Sequence, residues 1–275
     1  MPQNPAVPVV LTLSGNDPSG GAGIQADIET LASMGCHCAP VITALTVQDT
    51  SAVHTFSAVS ADLVLAQARA VLEDMPVAAF KLGMLGSLEN VEAAHELLSA
   101  YPDTPVVLDP VATAGGGGGL GGEAVLEAIR KLLLPLTTVL TPNSPEARAL
   151  APRGATLDEC ARELLAHGCG YVLVTGTHEE TDQVENRLYT GGDLLETFFW
   201  ERLGGSYHGS GCTLASAIAG LLAVGLEPFT AVHEAQEYAW EALRQGYRIG
   251  RGQYLPNRLF WARDEEEAPA PATLQ

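Results

Sequence analysis

The sequence has few positive charges. Its 275 residues include 14 Lys and Arg against 33 Asp and Glu, which gives a formal net charge of −19 at pH 7. A chain with this balance repels nucleic acid and anionic lipid, so we expect neither a nucleic acid nor a membrane as a partner. Any phosphate group that it binds must be held locally, by backbone N–H groups, a metal ion or a few basic side chains.

Long apolar runs and a cysteine framework are also missing. The apolar runs are short and are interrupted by Gly or charged residues, so no membrane-spanning helix is expected. The first residues, MPQNPAVPVVLTLSG, lack the basic and apolar regions of a signal peptide. The five cysteines are odd in number and scattered, which favours a reducing compartment over a disulfide-stabilised fold. These absences together predict a cytoplasmic protein.

The common nucleotide-binding motifs are absent as well. No Lys follows the glycine-rich segments as a Walker A loop requires, and GGAGIQ lacks the spacing of the dinucleotide-binding G-x-G-x-x-G. A P-loop enzyme and a Rossmann-type dehydrogenase are therefore disfavoured. What remains is a glycine loop late in the chain, HGSGC at residues 208–212, which runs into an apolar helical pattern. Backbone N–H groups and the helix dipole at such a place can cradle a phosphoryl group.

The sequence does contain a regular alternation of strand and helix patterns. Hydrophobic residues make up 47% of the chain, which is enough for a large core. Short β-branched runs such as VPVVLTLSG are followed by helical patterns, which predicts an α/β fold with a mostly parallel central sheet and helices on both faces. In the first predicted helix, GIQADIETLASMG, helical spacing places four apolar residues on one face, namely Ile24, Ile28, Leu31 and Met34.

The chain shows no break in composition that would divide it. Residues 1–262 are predicted to form one domain, and the charged, Pro/Ala-rich residues 263–275 to form a disordered tail. The segment VENRLYTGGDLLETFFWERL predicts antiparallel strands around the turn Gly191–Gly192. The run AGGGGGLGG, residues 114–122, is predicted to form a mobile flap near a ligand.

Polar segments follow several of the predicted strands. SGNDPSGGAG comes after the first strand, and LDP, TPNSPE and TGT come after later ones. Ligands of open parallel sheets bind where the carboxyl ends of the strands meet. The sequence therefore predicts a ligand site at this edge of the sheet.

Six segments occur in an order that resembles the hydroxymethylpyrimidine/phosphomethylpyrimidine kinases of thiamine biosynthesis, which are members of the ribokinase-like superfamily. They are GNDPSGGAGIQAD, VITALTVQDT, KLGML, LDPV, LTPNSPEA and HGSGCTLASAIA, and the resemblance extends over residues 7 to 262. It implies a single-domain, three-layer ribokinase-like sandwich that uses ATP and Mg²⁺. It also implies two successive phosphorylations, of hydroxymethylpyrimidine to its monophosphate and then to its diphosphate. A homodimer is implied too, and a monovalent cation is allowed.

The resemblance gives the glycine loop a catalytic role. In the superfamily pattern Gly-x-Gly-Asp the Asp accepts the proton of the substrate hydroxyl, and Cys212 occupies that position here. A free thiol has a pKa of about 8.5, which a helix N-terminus is expected to lower toward neutrality. The amides of Gly209, Ser210 and Gly211 would then form the anion hole. The structural alternative is that Cys212 is only a small buried hydrophobe.

The resemblance also indicates a pocket for the pyrimidine. Gly15, Asp17 and Ala22 lie in the segment GNDPSGGAGIQAD, which resembles the substrate-binding element. Asp27 is expected to hydrogen-bond the ring amine, and Gln48 to meet a ring nitrogen and the amine as donor and acceptor together. Two apolar residues would pack on the ring, namely Met84 and Val111. Taken singly, Asp17 before a proline is also typical of a turn or cap, Met84 of a core position, and Gln48 of a loop.

The nucleotide and metal are expected to bind at the next strand ends. TPNSPE matches the superfamily element N-x-x-E, so Asn143 and Glu146 would hold Mg²⁺, mainly through water. Asp109 would add negative charge near the metal, and the nucleotide contacts would come from Thr141, Asn143, Thr175 and Gly176. The alternatives are that Glu146 stabilises the first turn of a helix and that Asp109 belongs to a strand-end turn.

The chain departs from the family pattern in two places. Many relatives carry a Lys in a KGG turn where this chain has Thr175-Gly176-Thr177. The flap AGGGGG also lacks the Lys and Ser often found near it. Phosphate contacts at the turn would then depend on the hydroxyls of Thr175 and Thr177 or on a metal ion.

Some candidates and functions stay open on the sequence alone. His208 is placed either to touch a phosphate or to pack, and Cys36-His37-Cys38 is read as structural because C-x-C without a second pair is not a zinc site. A pyridoxal kinase is an alternative function because the same scaffold serves both rings. A ligand-binding regulator is disfavoured, because a binding protein has no use for the base Cys212.

Overall fold

A single sheet organises the chain. The computed structural model describes residues 7–111 and 122–262. The strands are β1 (Val9–Asn16), β2 (His37–Gln48), β3 (Val53–Ala58), β4 (Val77–Leu82), β5 (Val106–Leu108), β6 (Val139–Leu140), β7 (Tyr171–Val174), β8 (Gln183–Thr190) and β9 (Asp193–Glu201). Their order across the sheet is β3-β2-β1-β4-β5-β6-β7-β8-β9. The strands from β2 to β7 across the sheet pair in parallel, whereas β3, β8 and β9 pair antiparallel.

Two layers of helices cover this sheet. The helices are α1 (Gly23–Ser33), α2 (Ala61–Leu72), α3 (Leu88–Ser99), α4 (Gly122–Ala128), α5 (Ser144–Leu150), α6 (Leu157–Ala166), α7 (Ser210–Ala223) and α8 (Pro228–Arg244). One face of the sheet packs against α2 to α6. The other face packs against α1, α7 and α8. The predicted α/β fold with three layers is confirmed, and the antiparallel strands around Gly191–Gly192 are β8 and β9.

Helix α7 is apolar around most of its circumference because it is enclosed on several sides. Its residues from Thr213 to Gly220 are all buried, between the sheet and the helices α1 and α8. Gly220 allows the close approach to α1, since a Cβ at this position would lie 2.8 Å from Cβ of Met34. The enclosed helix therefore has a fixed N-terminus, which lies at the carboxyl edge of the strands.

The structure differs from the sequence-based expectation in several local features. Ile28 was predicted on the buried face of α1, but it is exposed, and Asp27 and Thr30 lie on the inner face instead. Strand β3 and helix α5 were not predicted, because β3 is a largely exposed edge strand and α5 spans only two turns. The predicted flap, apart from Gly122, and the predicted tail lie outside the described residues. Within the two described ranges, no helix combines the length and apolar content that crossing a bilayer requires.

Asn90 of α3 holds three segments of the fold together. Its buried amide nitrogen lies within hydrogen-bond distance of three carbonyl oxygens, those of Thr43, Val59 and Leu85, at 3.2, 3.1 and 2.8 Å. These carbonyls belong to β2, to the connection that precedes α2, and to the loop that follows β4. One side chain therefore fixes the end of the sheet on which the site depends.

We expect Asn90→Ala to lower the free energy of unfolding by about 1–3 kcal/mol, because buried carbonyl groups lose their donor. Urea denaturation monitored by circular dichroism measures this change. The matched control is Glu92→Ala, an exposed position on the same helix, which should change stability by less than about 0.5 kcal/mol. Equal effects of the two substitutions would contradict the role assigned to Asn90.

Candidate active site

Two glycine-containing loops meet at the carboxyl edge of the sheet. The DPSGGA loop (residues 17–22) follows β1, and the anion loop (residues 208–211) leads into α7. Asp17 organises the first loop, since its carboxylate accepts hydrogen bonds from the backbone N–H groups of Ser19 and Ala22, both at 2.8 Å. Burial raises the pKa of Asp17, but hydrogen bonds from His208 and Ser19 outweigh it and bring the pKa below its ordinary value. Asp17 therefore makes the contacts of a turn residue, which was the alternative prediction for this position.

His208 joins the two loops and reaches Gln48. Its Nε2 atom lies 2.8 Å from Oδ2 of Asp17 and 2.6 Å from the terminal amide of Gln48 at the end of β2. Because a carboxylate only accepts, Nε2 carries a hydrogen and donates it to Asp17. This arrangement makes His208 a support for Gln48 and for the anion loop.

The anion loop presents the free end of a buried helix. Gly209 is the N-cap of α7 with φ +79, a left-handed conformation that glycine adopts without steric cost. A Cβ on Gly209 would collide with the carbonyl oxygen of Gly21, so the two loops are in direct contact. Gly211 is exposed, and the first N–H groups of α7 have no partner within the helix. Gly209, Ser210 and Gly211 thus form a place where an anion can approach the backbone.

Cys212 follows these residues and faces Asp109. Burial raises the pKa of Asp109, and the Cys212 thiol and the backbone N–H of Val111 act against this rise. Asp109 lies so near the start of α7 that a Cβ on Gly211 would be 3.6 Å from its Oδ2. The expectation that the helix N-terminus lowers the pKa of Cys212 is wrong. Burial raises it to about 12, and the nearby carboxylates of Asp109 and Asp27 add to this, although Lys81 opposes them. Cys212 is therefore a neutral thiol at pH 7.

Lys81 is the buried cation beneath this group. It lies on β4 with 0% of its side chain exposed, and its ammonium is 2.8 Å from Oδ1 of Asp27 and 3.1 Å from Oγ of Ser14. Burial lowers the pKa of Lys81, but the negative charge of Asp27 outweighs this effect and raises it above the ordinary value. Burial raises the pKa of Asp109 to about 6, although Lys81 opposes this. Lys81 thus lies among three acidic groups, which are the carboxyls of Asp27 and Asp109 and the thiol of Cys212.

The position of Asp27 contradicts the expectation that it reaches the substrate. Its side chain is fully buried, and Oδ1 accepts hydrogen bonds from Lys81 and, at 2.6 Å, from Ser216 of α7. The carboxylate therefore neutralises Lys81 below the site. Lys81 itself was missed by the sequence analysis, although a Lys inside the apolar run AAFKLG is a signal that a buried charge needs a partner.

The structure brings Gly15, Met84 and Val111 to one side of the site. A Cβ on Gly15 would lie 3.3 Å from Sδ of Met84, so the absence of a side chain at Gly15 lets Met84 pack closely against the backbone. Met84 and Val111 line a cleft together with Gly83, Leu108 and Pro110. Val111 has φ +37, which is strained for a β-branched residue and is the one positive φ of a non-glycine residue in the described ranges. Backbone strain of this kind is concentrated at functional sites.

The predicted nucleotide and metal residues lie at the neighbouring ends of β6 and β7. Asn143 and Glu146 form a reciprocal capping box at the start of α5. The N–H of Glu146 donates to Oδ1 of Asn143 at 2.9 Å, and the N–H of Asn143 donates to Oε2 of Glu146 at 3.0 Å. Glu146 therefore stabilises the first turn of a helix, as the alternative prediction has it. The backbone of Asn143 also forms an isolated parallel β-bridge with that of Thr175. Thr141 is buried and its hydroxyl donates to the carbonyl of Leu108 at 3.4 Å. The N–H of Gly176 donates to the side-chain oxygen of Asn186 at 3.1 Å, and in this turn Thr175 is half-buried and Thr177 is exposed.

These oxygen atoms fit the chemistry of Mg²⁺. This ion prefers oxygen ligands, keeps several waters and needs only one or two carboxylates beside the phosphates. Glu146 and Asp109 are carboxylates, and Asn143 adds an amide oxygen. In the described part of the chain, no three His, Cys, Asp or Glu side chains converge as a metal-binding group. A magnesium ion here would therefore depend on water and phosphate for its other positions.

Solved structures place this fold among small-molecule kinases. The pyridoxal kinase from Staphylococcus aureus in complex with ADP superposes with a TM-score of 0.86 at 29% identity, over 94% of this chain and 96% of that one. The phosphomethylpyrimidine kinase from Clostridium difficile superposes with a TM-score of 0.74 at 33% identity, over 86% and 100% of the two chains. Fold and site together define a ribokinase-like kinase.

The sequence comparison is more specific. A family model described as phosphomethylpyrimidine kinase matches residues 17–257. The hydroxymethylpyrimidine/phosphomethylpyrimidine kinase from Streptomyces coelicolor is 40% identical over 252 residues, which cover 89% of this chain and 92% of the relative. The chain belongs to the phosphomethylpyrimidine kinase family.

We expect Lys81→Met to leave Asp27 as an unpaired buried charge and to lower the free energy of unfolding by about 3–5 kcal/mol. Adding Asp27→Asn removes the second charge and should restore much of the lost stability. Urea denaturation of the wild type, both single variants and the double variant measures this coupling. A double variant no more stable than Lys81→Met would contradict the ion pair as the reason for burying Lys81.

Proposed function

We propose that this chain uses ATP to phosphorylate hydroxymethylpyrimidine to its monophosphate and then to its diphosphate, in the biosynthesis of thiamine diphosphate. The observation that carries the proposal is the position of Cys212. It lies in the first turn of α7 and interacts with Asp109 and Lys81, and Asp109 is two residues before Val111, which lines the cleft together with Met84. An anion-binding loop, a proton acceptor and an apolar slot for a ring meet there, and family membership supports the choice of substrate.

The first phosphorylation needs an acceptor for the proton of the substrate hydroxyl. Cys212 is neutral at pH 7, whereas Asp109, with its pKa raised to about 6, is mostly ionised and accepts the thiol hydrogen. In the proposed step the hydroxyl proton moves to sulfur while the thiol proton moves to Asp109. The hydroxyl oxygen bonds to the γ-phosphorus, and the bond from that phosphorus to the leaving oxygen breaks. Cys212 thus relays the proton, and Asp109 keeps it.

The other residues hold and orient the reactants. ATP, when bound, supplies the phosphoryl group, and Mg²⁺ neutralises phosphate charge. The amides of Gly209, Ser210 and Gly211 would bind the transferred group. Asn143 and Glu146 would hold the metal, with the negative charge of Asp109 nearby, and Thr141, Thr175 and Gly176 would face the nucleotide. The ring would lie between Met84 and Val111 near Gly15 and Ala22, with the NH₂ group of Gln48 as donor to a ring nitrogen.

The remaining parts of the proposal concern the setting of the enzyme. The family resemblance supports a homodimer and leaves a place for a monovalent cation. Five free cysteines in the described ranges support a reducing, cytoplasmic location. The net charge of −19 supports a small-molecule substrate with neither nucleic acid nor membrane as partner. Residues 1–262 are proposed as the kinase domain and residues 263–275 as a tail.

Cys212→Ala should lower hydroxymethylpyrimidine kinase activity by about 10²–10⁴-fold and leave ATP affinity nearly unchanged, because a positioned proton acceptor is lost. Phosphorylation of the monophosphate should be slowed less, because the attacking phosphate oxygen has a second pKa near 6 and is already ionised at pH 7. Cys212→Ser keeps an O–H donor to Asp109 and should retain more of the first activity than Ala. ADP formation with each substrate measures these effects. Equal losses in both steps would mean that Cys212 only shapes the loop.

Hydroxymethylpyrimidine should be preferred over pyridoxal by roughly tenfold or more in kcat/KM. Pyridoxal has no exocyclic amine and would leave the Gln48 carbonyl without a donor, and an unpaired polar group in the closed site costs about 1–3 kcal/mol. Gln48 is the polar side chain assigned to the ring, so Gln48→Met should reduce kcat/KM for the pyrimidine more than for pyridoxal. ADP formation with each alcohol, and without either, is the measurement. Equal or better use of pyridoxal would favour a pyridoxal kinase, and no substrate-dependent turnover would favour a binding protein.

A further inference from the structure

The segment that follows α8 reaches back to both loops of the site. The backbone N–H of His208 donates to the carbonyl of Tyr254 at 2.9 Å, and the N–H of Tyr254 donates to the carbonyl of Ser206 at 2.9 Å. Leu255 packs against Gly21, where a Cβ would lie 2.7 Å from its methyl carbon. No periodic pattern marks residues 245–262 in the sequence, and none of them was predicted to matter for the site.

Arg258 is the centre of these contacts. Only 2% of this residue is exposed, and its guanidinium group contacts three different elements. Nε donates to Oγ1 of Thr213 at 2.9 Å, and Nη1 pairs with Oε2 of Glu29 on α1 at 3.1 Å. Nη2 donates to the carbonyl oxygen of Gly21. The rigid, planar fork of an arginine suits three acceptors in fixed directions, whereas a lysine presents a single nitrogen.

These contacts place Arg258 between the two loops. Thr213, which accepts from Arg258, donates in turn to the carbonyl of Gly209 at 2.8 Å. A Cβ on Gly209 would lie 2.8 Å from Nη2 of Arg258 and would collide with the carbonyl of Gly21. The guanidinium therefore touches the DPSGGA loop directly and the anion loop through Thr213. Arg258 therefore helps to fix the distance between the loops, on the side opposite to the contact of His208 with Asp17.

The backbone of Arg258 is fixed as firmly as its side chain. Its carbonyl oxygen accepts hydrogen bonds from Ser33 of α1 and Tyr238 of α8, both at 2.7 Å. Among the described residues, the buried basic side chains are Lys81 and Arg258, and both lie next to the start of α7. Burying a guanidinium is costly unless it is paired and hydrogen-bonded, so its presence at this point is a specific feature of the site.

We propose that Arg258 is a positioning residue for phosphoryl transfer, which sets the separation between the loop that faces the substrate and the loop that binds the transferred group. The proposal rests on the proposed function of this site. Displacement of a reacting group by about 1 Å can reduce a rate by about 10²-fold. Because both phosphorylation steps use the same two loops, loss of Arg258 should slow both by similar factors. Cys212→Ala, in contrast, should slow mainly the first step.

The test compares Arg258→Lys with Glu29→Gln. Glu29→Gln removes the negative charge from the ion pair and leaves the contacts of Arg258 to Gly21 and Thr213 in place. Arg258→Lys keeps the positive charge but has a single nitrogen and cannot donate to Gly21, Thr213 and Glu29 in three fixed directions. We expect Arg258→Lys to lower kcat by about 10–100-fold with hydroxymethylpyrimidine and with its monophosphate, at a temperature where circular dichroism shows the variant folded. The Kd for ATP should change by less than about twofold. Glu29→Gln should keep kcat within about threefold of the wild type.

Three outcomes would overturn the proposal. They are a kcat of folded Arg258→Lys within about twofold of the wild type, equal losses in the two variants, and a change confined to thermal stability. Amide hydrogen exchange gives a readout that does not need activity: peptides covering residues 17–22 and 206–213 should exchange faster in Arg258→Lys than in Glu29→Gln. If the wild type turns over neither substrate, the proposed function fails. Unchanged exchange would then show that Arg258 does not fix the loops.

Discussion

The ion pair between Lys81 and Asp27 is the constraint on which the site depends. A fully buried ammonium is tolerated because the Asp27 carboxylate lies 2.8 Å away and Oγ of Ser14 lies 3.1 Å away, while Ser216 donates a hydrogen bond to the same carboxylate. The pair joins β4 to α1, and through Ser216 it joins α1 to α7. Cys212 and Asp109 lie in the field of this cation, so the protonation of both depends on it. A charge cluster in the interior thus fixes the helix whose N-terminus is the anion site.

The second constraint is the contact between two loops that lie far apart in the sequence. A side chain on Gly209 would collide with the carbonyl of Gly21, and one on Gly21 would collide with His208 and Leu255. His208 and Arg258 secure the contact between the loops on either side. This contact brings a substrate-facing loop and an anion-binding loop to a fixed separation. In the proposed reaction that separation is the one between the acceptor hydroxyl and the transferred phosphoryl group. The fold thereby supplies orientation, which accounts for a large part of the catalysis of group transfer.

Sequence patterns predicted the sheet, its flanking helices and the HGSGC loop, because period and glycine placement are local properties. They did not predict features set by distant contacts. Asp27 was assigned to the substrate because its motif lies near the site, but its partner is Lys81, which lies far away in the sequence. The pKa of Cys212 was expected to fall at a helix N-terminus, but burial and two carboxylates decide its direction. Arg258 carries no local signal at all, since only the folded chain brings it to the loops.

The central claim is that one site carries out two successive phosphorylations. The most direct test is the amount of ADP formed when a limiting amount of hydroxymethylpyrimidine is exhausted by the purified protein with excess ATP and Mg²⁺. The account predicts two ADP for each hydroxymethylpyrimidine, with the monophosphate appearing first and the diphosphate at the end. One ADP for each pyrimidine, with the monophosphate as the final product, would contradict it.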